Sequence, residues 1–416
     1  MSLASDLIAA TRPSGFLTRS FQPFRYRDFR LLWGGAFTST CGSWMQNVAQ
    51  SWLVLELTGS AFYLGLVGFL SDLPIMLFSL VGGVVADRAD RRKLLLGSQY
   101  TQMASAFILT ALVIADKVQI WHILALVFVS GTGQAFGGPA YQALIPGLVP
   151  REDVPKAIAL NSIQFNLARM VGPLLAAAAM AAGGLVLCFG LNGISFLAVI
   201  VSLYIIRATF LPQKTTDTVY EGLKEGFAYV KSRGALWQLT VLGFVSTFCG
   251  TPLLTLLPVF AKDIFGLEAT GFSYLVATSG AGAIAGALLY AGLSHNRHSP
   301  VFVLWIQIGY ALLLSAFAVS RILPLSHVIL FLSGMGLMAM FSSISSLVQL
   351  GTSEELRGRT MSIFMLAFRS GMPLGNLLFG YLAERFSPTS SLIVASVLLV
   401  IVAAGFLASN SGMKRL

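Results

Sequence analysis

Charge is scarce in this chain. Of its 416 residues, 11% are Asp, Glu, Lys or Arg, against roughly 25% in a soluble domain. Cysteine is nearly absent. Cys41, Cys188 and Cys249 all lie inside apolar runs, so there is no disulfide framework and no metal-ligand spacing. There are four histidines, and three of them lie in or beside loops. The apolar runs hold no His-Glu-x-x-His, no Gly-x-Ser-x-Gly and no paired acids, so a membrane-embedded enzyme is not expected. The Gly-rich runs are not set between a strand and a helix, so none is read as a phosphate-binding loop. No soluble signalling domain is visible, which argues against a sensor. The first 30 residues hold five Arg and no long apolar core, so no cleavable signal peptide is expected.

The net charge of +10 raises the question of nucleic acid. The basic residues sit in short loops between apolar runs and form no patch for groove or base recognition, so that partner is not expected. No metal or other cofactor is expected either.

What the chain has is apolar length. Hydrophobic residues make up 56% of it, 30 of them Phe, with a mean hydropathy of +0.79. Runs of about 18 or more apolar residues read as membrane-crossing helices. Twelve are predicted, at 31–56, 60–86, 94–115, 119–147, 156–182, 185–206, 236–261, 270–293, 300–320, 325–350, 360–383 and 389–410. The fold class is thus an all-α polytopic membrane protein.

Loop charge tests the count. With the N-terminus in the cytoplasm, 21 Lys/Arg fall on the cytoplasmic side and four on the other. Lys and Arg are retained on the cytoplasmic side of spans, so the split supports both count and orientation. The two remaining Arg lie inside spans. The longest loop divides the chain into an N-terminal bundle, 1–206, a linker, 207–235, and a C-terminal bundle, 236–416. In the linker, Tyr220, Leu223, Phe227 and Val230 recur at helical spacing among charges. This predicts an amphipathic helix along the membrane surface that tethers the halves.

The halves echo each other. Span five opens on "PREDVPKAIALNSIQFNLARMVGPLL" and span eleven on "SEELRGRTMSIFMLAFRSGMPLG". Each carries an acidic pair, a base and then Arg-x-x-x-Pro, as Arg169 with Pro173 and Arg369 with Pro373. Internal repeats of this kind predict a transporter with a midplane site between two related bundles.

The stretch "GGVVADRADRRK" after span two carries Gly83, Asp87, Arg88, Arg91, Arg92 and Lys93. These match motif A of the major facilitator superfamily, Gly-x-x-x-Asp-Arg-x-Gly-Arg-Arg-Lys, with Asp90 in place of the second glycine. Spacing and topological position agree, and the chain resembles that superfamily over nearly its whole length. "LVLELTGSA", "GQAFGGPAYQALIPGLVP", "NLARMVGP" and "LRGRTMSIF" resemble the exporter branch that includes enterobactin and macrolide efflux proteins. Gly172 and Pro173 in "VGPLLAAA" are similar to a degenerate antiporter motif C. The resemblance implies two six-helix bundles with pseudo-twofold symmetry. It further implies a cavity lined by spans one, four, seven and ten, and an Asp87 latch against the start of span eleven. Two motifs depart from the family. The motif B arginine would fall near Val127, and the second copy of motif A, "GLSHNRHS", lacks its Asp.

Ionisable residues inside spans are costly and mark function by default. At 1.5 Å per residue, Asp72 lies about 22 Å, Arg169 about 20 Å and Arg369 about 15 Å from the cytoplasmic ends of their spans, near mid-depth. The arginines read either as interhelical clamps or as contacts to an anionic substrate or coupling acid. Asp72 reads either as a helix cap before Pro74 or as a proton carrier. Polar stripes add Gln46, Asn47 and Gln50 in span one and Gln134 in span four. Asn166 in span five, Gln349 in span ten and Asn376 in span eleven extend them. Such residues face protein or water, as packing contacts or as cavity lining. Glu56 reads as an interface or gate residue.

These readings converge on a secondary transporter in the bacterial inner membrane, with both termini cytoplasmic. It exports a siderophore- or drug-like amphipathic molecule by alternating access, with a proton as coupling partner. Beyond cargo, proton and lipid bilayer, no partner is expected, and a monomer is expected. The alternative on the same fold is a facilitator of lysophospholipid-class lipids.

Overall fold

The computed structural model describes residues 21–207, 219–292 and 300–408. Among the described residues, twelve membrane-spanning helices form two six-helix bundles related by pseudo-twofold symmetry. In the first bundle the spans are Arg27–Thr58, Ala61–Arg88, Arg91–Ile114, Ile120–Leu144 and the pair within Val154–Ile205. In the second they are Gly234–Gly250 continued by Pro252–Val259, then Ala269–Gly292, Pro300–Val319, Leu323–Leu350, Arg357–Arg385 and Pro388–Ala408. An even number of crossings puts residues 21 and 408 at the same end of the molecule, here the termini end. The other is the far end.

Spans five and six run as one helical stretch broken at Gly183 and Gly184. Gly184 has φ +66°, the left-handed region that glycine enters without a Cβ penalty. The chain reverses there, and Cys188 returns alongside Ala176, its Sγ 3.8 Å from the Ala176 carbonyl.

Within the bundles, glycine lets neighbouring backbones approach. Gly172 of span five packs on Cys41 and Trp44 of span one. Its counterpart in the repeat, Gly371 of span eleven, packs on Phe244 and Thr247 of span seven. The two Arg-x-x-x-Pro segments thus sit on equivalent helix pairs. In membranes such small-residue contacts replace the hydrophobic force that water supplies elsewhere.

Span seven is predicted as one run, and the structure breaks it at Thr251. Pro252 has no amide to continue the ladder, and the Leu254 amide turns back to the Thr251 carbonyl at 3.1 Å. The Gly250 carbonyl accepts instead from the Tyr310 hydroxyl of span nine at 2.9 Å. Tyr310 is fully buried. Tyr310→Phe is expected to leave that carbonyl unsatisfied and to cost about 1–3 kcal/mol. Thermal unfolding in detergent measures it, and an unchanged midpoint would refute the pairing.

At the termini end, Asp153 is buried below the first bundle and accepts from Lys156 at 2.7 Å and Tyr26 at 2.9 Å. The bond from the Lys156 ammonium, helped by Tyr26, holds the Asp153 carboxyl below the usual range. The same contact pushes the Tyr26 phenol up. Lys156 also reaches Gln22 at 2.9 Å, so this cluster pins the segment leading into span one.

The linker carries a helix at Val219–Ser232, as its amphipathic spacing predicts. It rests on the second bundle. Arg359 of span eleven donates to Glu225, Gly226 lies against the Arg359 backbone, and Phe227 packs edge-on to Trp237.

Candidate transport site

The bundles meet along two seams, span two against span eleven and span five against span eight. Gly65 and Gly380 cross at the first. A Cβ built on Gly380 would lie 2.8 Å from Gly65 Cα and 3.1 Å from the Ala61 carbonyl. Toward the far end, Glu384 of span eleven reaches Ser60 and Phe62 at the start of span two. Nearby, the rings of Trp52 and Phe272 stack at 6.0 Å, joining spans one and eight. At the second seam, Gly280 packs on the backbone of Arg169 and Met170. All of these contacts fall between mid-depth and the far end.

The three charges inside spans divide between the two seams. Arg169 lies over the Trp44 ring, its guanidinium carbon 5.6 Å from the centroid, a cation–π contact within the first bundle. Its field reaches Tyr310 of the second bundle. Across the other seam, Asp72 of span two lies within reach of the Arg369 charge. The two do not close an ion pair within 4.0 Å. Arg369 is exposed and Asp72 half-buried.

The predicted polar residues divide. Asn47, Gln134 and Gln349 are exposed; Gln134 accepts from Gln102, and Gln349 donates to Ser345, both at 3.4 Å. Asn166 donates to the Ser162 carbonyl, while its own side-chain oxygen is buried without a partner. The others are engaged in packing. Gln46 accepts from Asn192 at 2.6 Å, joining spans one and six, and Gln50 is buried. Asn376 is buried against Gly68 and accepts from Thr255 at 2.9 Å. Glu56 accepts from Trp52 at 2.6 Å. Pro173 is buried beside Gly172.

Motif A sits at the termini end of span two. The side chains of Asp87 and Arg88 lie outside the described residues, as does the "GLSHNRHS" loop. Gly83 faces open space. Arg91 donates to the Ala143 carbonyl and Arg92 to the Tyr204 carbonyl, each at 3.2 Å, so both tie span three to its neighbours. Asp90 is the N-cap of span three. Its carboxylate accepts from the amides of Arg92 at 3.0 Å and Lys93 at 3.3 Å, as capping requires of a short acidic side chain.

Sequence reasoning missed Trp44, Tyr310, Ser60 and Glu384. Trp44 lies among the polar letters of span one, where Gln46 and Asn47 stand out instead, and Tyr310 lies in an apolar stretch where an aromatic reads as core. The last two flank loops, where a polar residue reads as solvated.

Two pseudo-symmetric bundles, meeting along seams with charges at mid-depth, define a membrane transporter of the major facilitator type. Comparison with known proteins agrees. The chain belongs to the transmembrane secretion effector family, whose model matches residues 18–413, an efflux branch of that fold. Macrolide efflux protein A of Streptococcus pyogenes is 25% identical over 394 residues, 91% of this chain and 96% of that protein. The staphyloferrin A transporter of Staphylococcus aureus is 25% identical over 402 residues, 92% and 97% of the two chains. Among solved structures, a bacterial homologue of the human lysosomal transporter Spinster, in an inward-facing and unoccupied conformation, superposes with a TM-score of 0.75. That match is 15% identical and covers 95% of this chain and 98% of the other.

Proposed function

We propose that the protein exports an amphipathic, anionic or zwitterionic small molecule from the cytoplasm across the inner membrane by alternating access, driven by a proton. The N-terminal bundle, 1–206, and the C-terminal bundle, 236–416, are the moving bodies, and 207–235 is their tether. Both termini lie in the cytoplasm, so the far end, where Gly65 meets Gly380 and Glu384 meets Ser60, faces outward.

The observation that carries this reading is the charge balance at the seams. The in-span charges are two guanidiniums, Arg169 at one seam and Arg369 at the other, against a single carboxylate, Asp72, which lies near Arg369 with no ion pair closed between them. An unneutralised cation at mid-depth favours a negative group on the cargo, and Asp72 is placed to exchange a proton against that cargo. Two relatives are named for the efflux of a macrolide and the transport of staphyloferrin A, which supports a small-molecule cargo.

A thermal-shift screen of purified protein against siderophores, macrolides and lysolipids tests it. At a ligand concentration of about 100 Kd, a true cargo stabilises the fold by about 2.7 kcal/mol. Arg169→Ala is expected to remove most of that gain. Stabilisation by no compound, or equal stabilisation of wild type and variant, would sink the site. Stabilisation by lysolipid, with transport that persists without a proton gradient, would replace it with lipid facilitation.

A further inference from the structure

We infer that Glu384 is the latch that holds the far end of the transporter shut. The evidence starts at the first residues of span two. Ser60 is the N-cap of that span, but its hydroxyl makes no capping bond to its own helix. It donates instead to Glu384 Oε2 at 2.9 Å. The same carboxylate oxygen accepts the Phe62 amide at 3.4 Å. That amide is one of the unpaired donors at the start of a helix, which a cap would ordinarily satisfy. Glu384 thus does the capping from the other bundle.

Its charge suits the position. A helix start carries partial positive charge, and a carboxylate there is favoured. Span eleven delivers the carboxylate because it crosses span two at Gly65 and Gly380 and ends one turn later. Opening the far end must pull span two from span eleven, so it must break this contact. The cap is then lost to water. Glu384 therefore biases the equilibrium between the two access states and touches no cargo; it is a positioning residue. Sequence analysis places Asp87 at the opposite end of the same helix pair, so spans two and eleven carry one acid at each end.

This inference rests on the alternating-access reading. Double electron–electron resonance on the full chain in nanodiscs separates the two. One label pair at Lys117 and Asp263 reports the far end, and another at Arg151 and Glu355 reports the termini end. The native cysteines are buried. Glu384→Ala is expected to raise the population with a wide far end by about threefold, the scale of one carboxylate at a helix start. The termini end should narrow in step. Ser60→Ala should move both ends the same way by less. Glu384→Gln, which keeps the acceptor and loses the charge, should fall between wild type and Glu384→Ala. A wild type that interconverts while Glu384→Ala and Ser60→Ala leave both distributions unchanged overturns the latch. So does a lowered melting temperature with unmoved distances. A wild type fixed at one distance at each end overturns the cycle, and the latch with it.

Discussion

Gly380→Leu is expected to abolish transport while leaving the protein folded. A Cβ at this position would lie 2.8 Å from Gly65 Cα, closer than such atoms approach, and the opposing atoms are backbone that cannot rotate aside. The two spans would have to part. Overpacking of this kind costs about 1–3 kcal/mol. Because the contact lies between bundles, the cost falls on the state in which the far end is closed. At 1.4 kcal/mol per tenfold, that state would lose roughly 5- to 150-fold in population. Transport in proteoliposomes and far-end labelling by a membrane-impermeant reagent measure the effect. Gly309→Leu is the control, since a Cβ there meets nothing within 4 Å. Wild-type transport by Gly380→Leu would show that the seam does not limit the cycle.

Asp72→Asn is expected to remove the dependence of transport on a pH gradient and to lower net export on the order of 100-fold. The asparagine keeps shape and hydrogen-bonding capacity but holds no exchangeable charge. It also leaves Arg369 without the carboxylate whose field reaches it. An uncompensated cation at mid-depth is disfavoured by about 2.5–3.5 kcal/mol on insertion scales, which sets the magnitude. Proton flux and cargo flux measured together decide the matter. If cargo still follows an imposed pH gradient in the variant, Asp72 is not the coupling acid. Arg369→Gln should partly restore cargo exchange in the Asp72→Asn background, because it removes the unpaired charge.

The spans and the repeat were legible in the sequence because membranes impose one rule on both. Apolar length and loop charge determine where the chain crosses. The charges inside spans stood out for a related reason: a lone Asp72, Arg169 or Arg369 is conspicuous against apolar letters. What failed to show were contacts made by ordinary letters in ordinary places. Asp90 looked like a lapse in motif A until the Arg92 and Lys93 amides were seen to bond to it. Tyr310 lay in a span with little polarity, and only the broken ladder at Thr251 explains its hydroxyl. Glu384 sits beside a loop, where acids are usually solvated, and its partners are more than 300 positions away in sequence. Asn376 was grouped with cavity polar residues by helical phase. Its phase also faces Gly68, and periodicity cannot tell a seam from a cavity.

The turn at Gly183 and Gly184 bears on how the chain enters the membrane in the first place. Spans five and six are joined at the far end by two residues that carry no side chain. There is no loop to haul across the bilayer and no charge to resist the passage. During synthesis the pair can therefore enter as a single helical hairpin, with Lys156 and Arg207 flanking it at the termini end. Lengthening this turn with polar residues would add a translocation step that the native chain does not have.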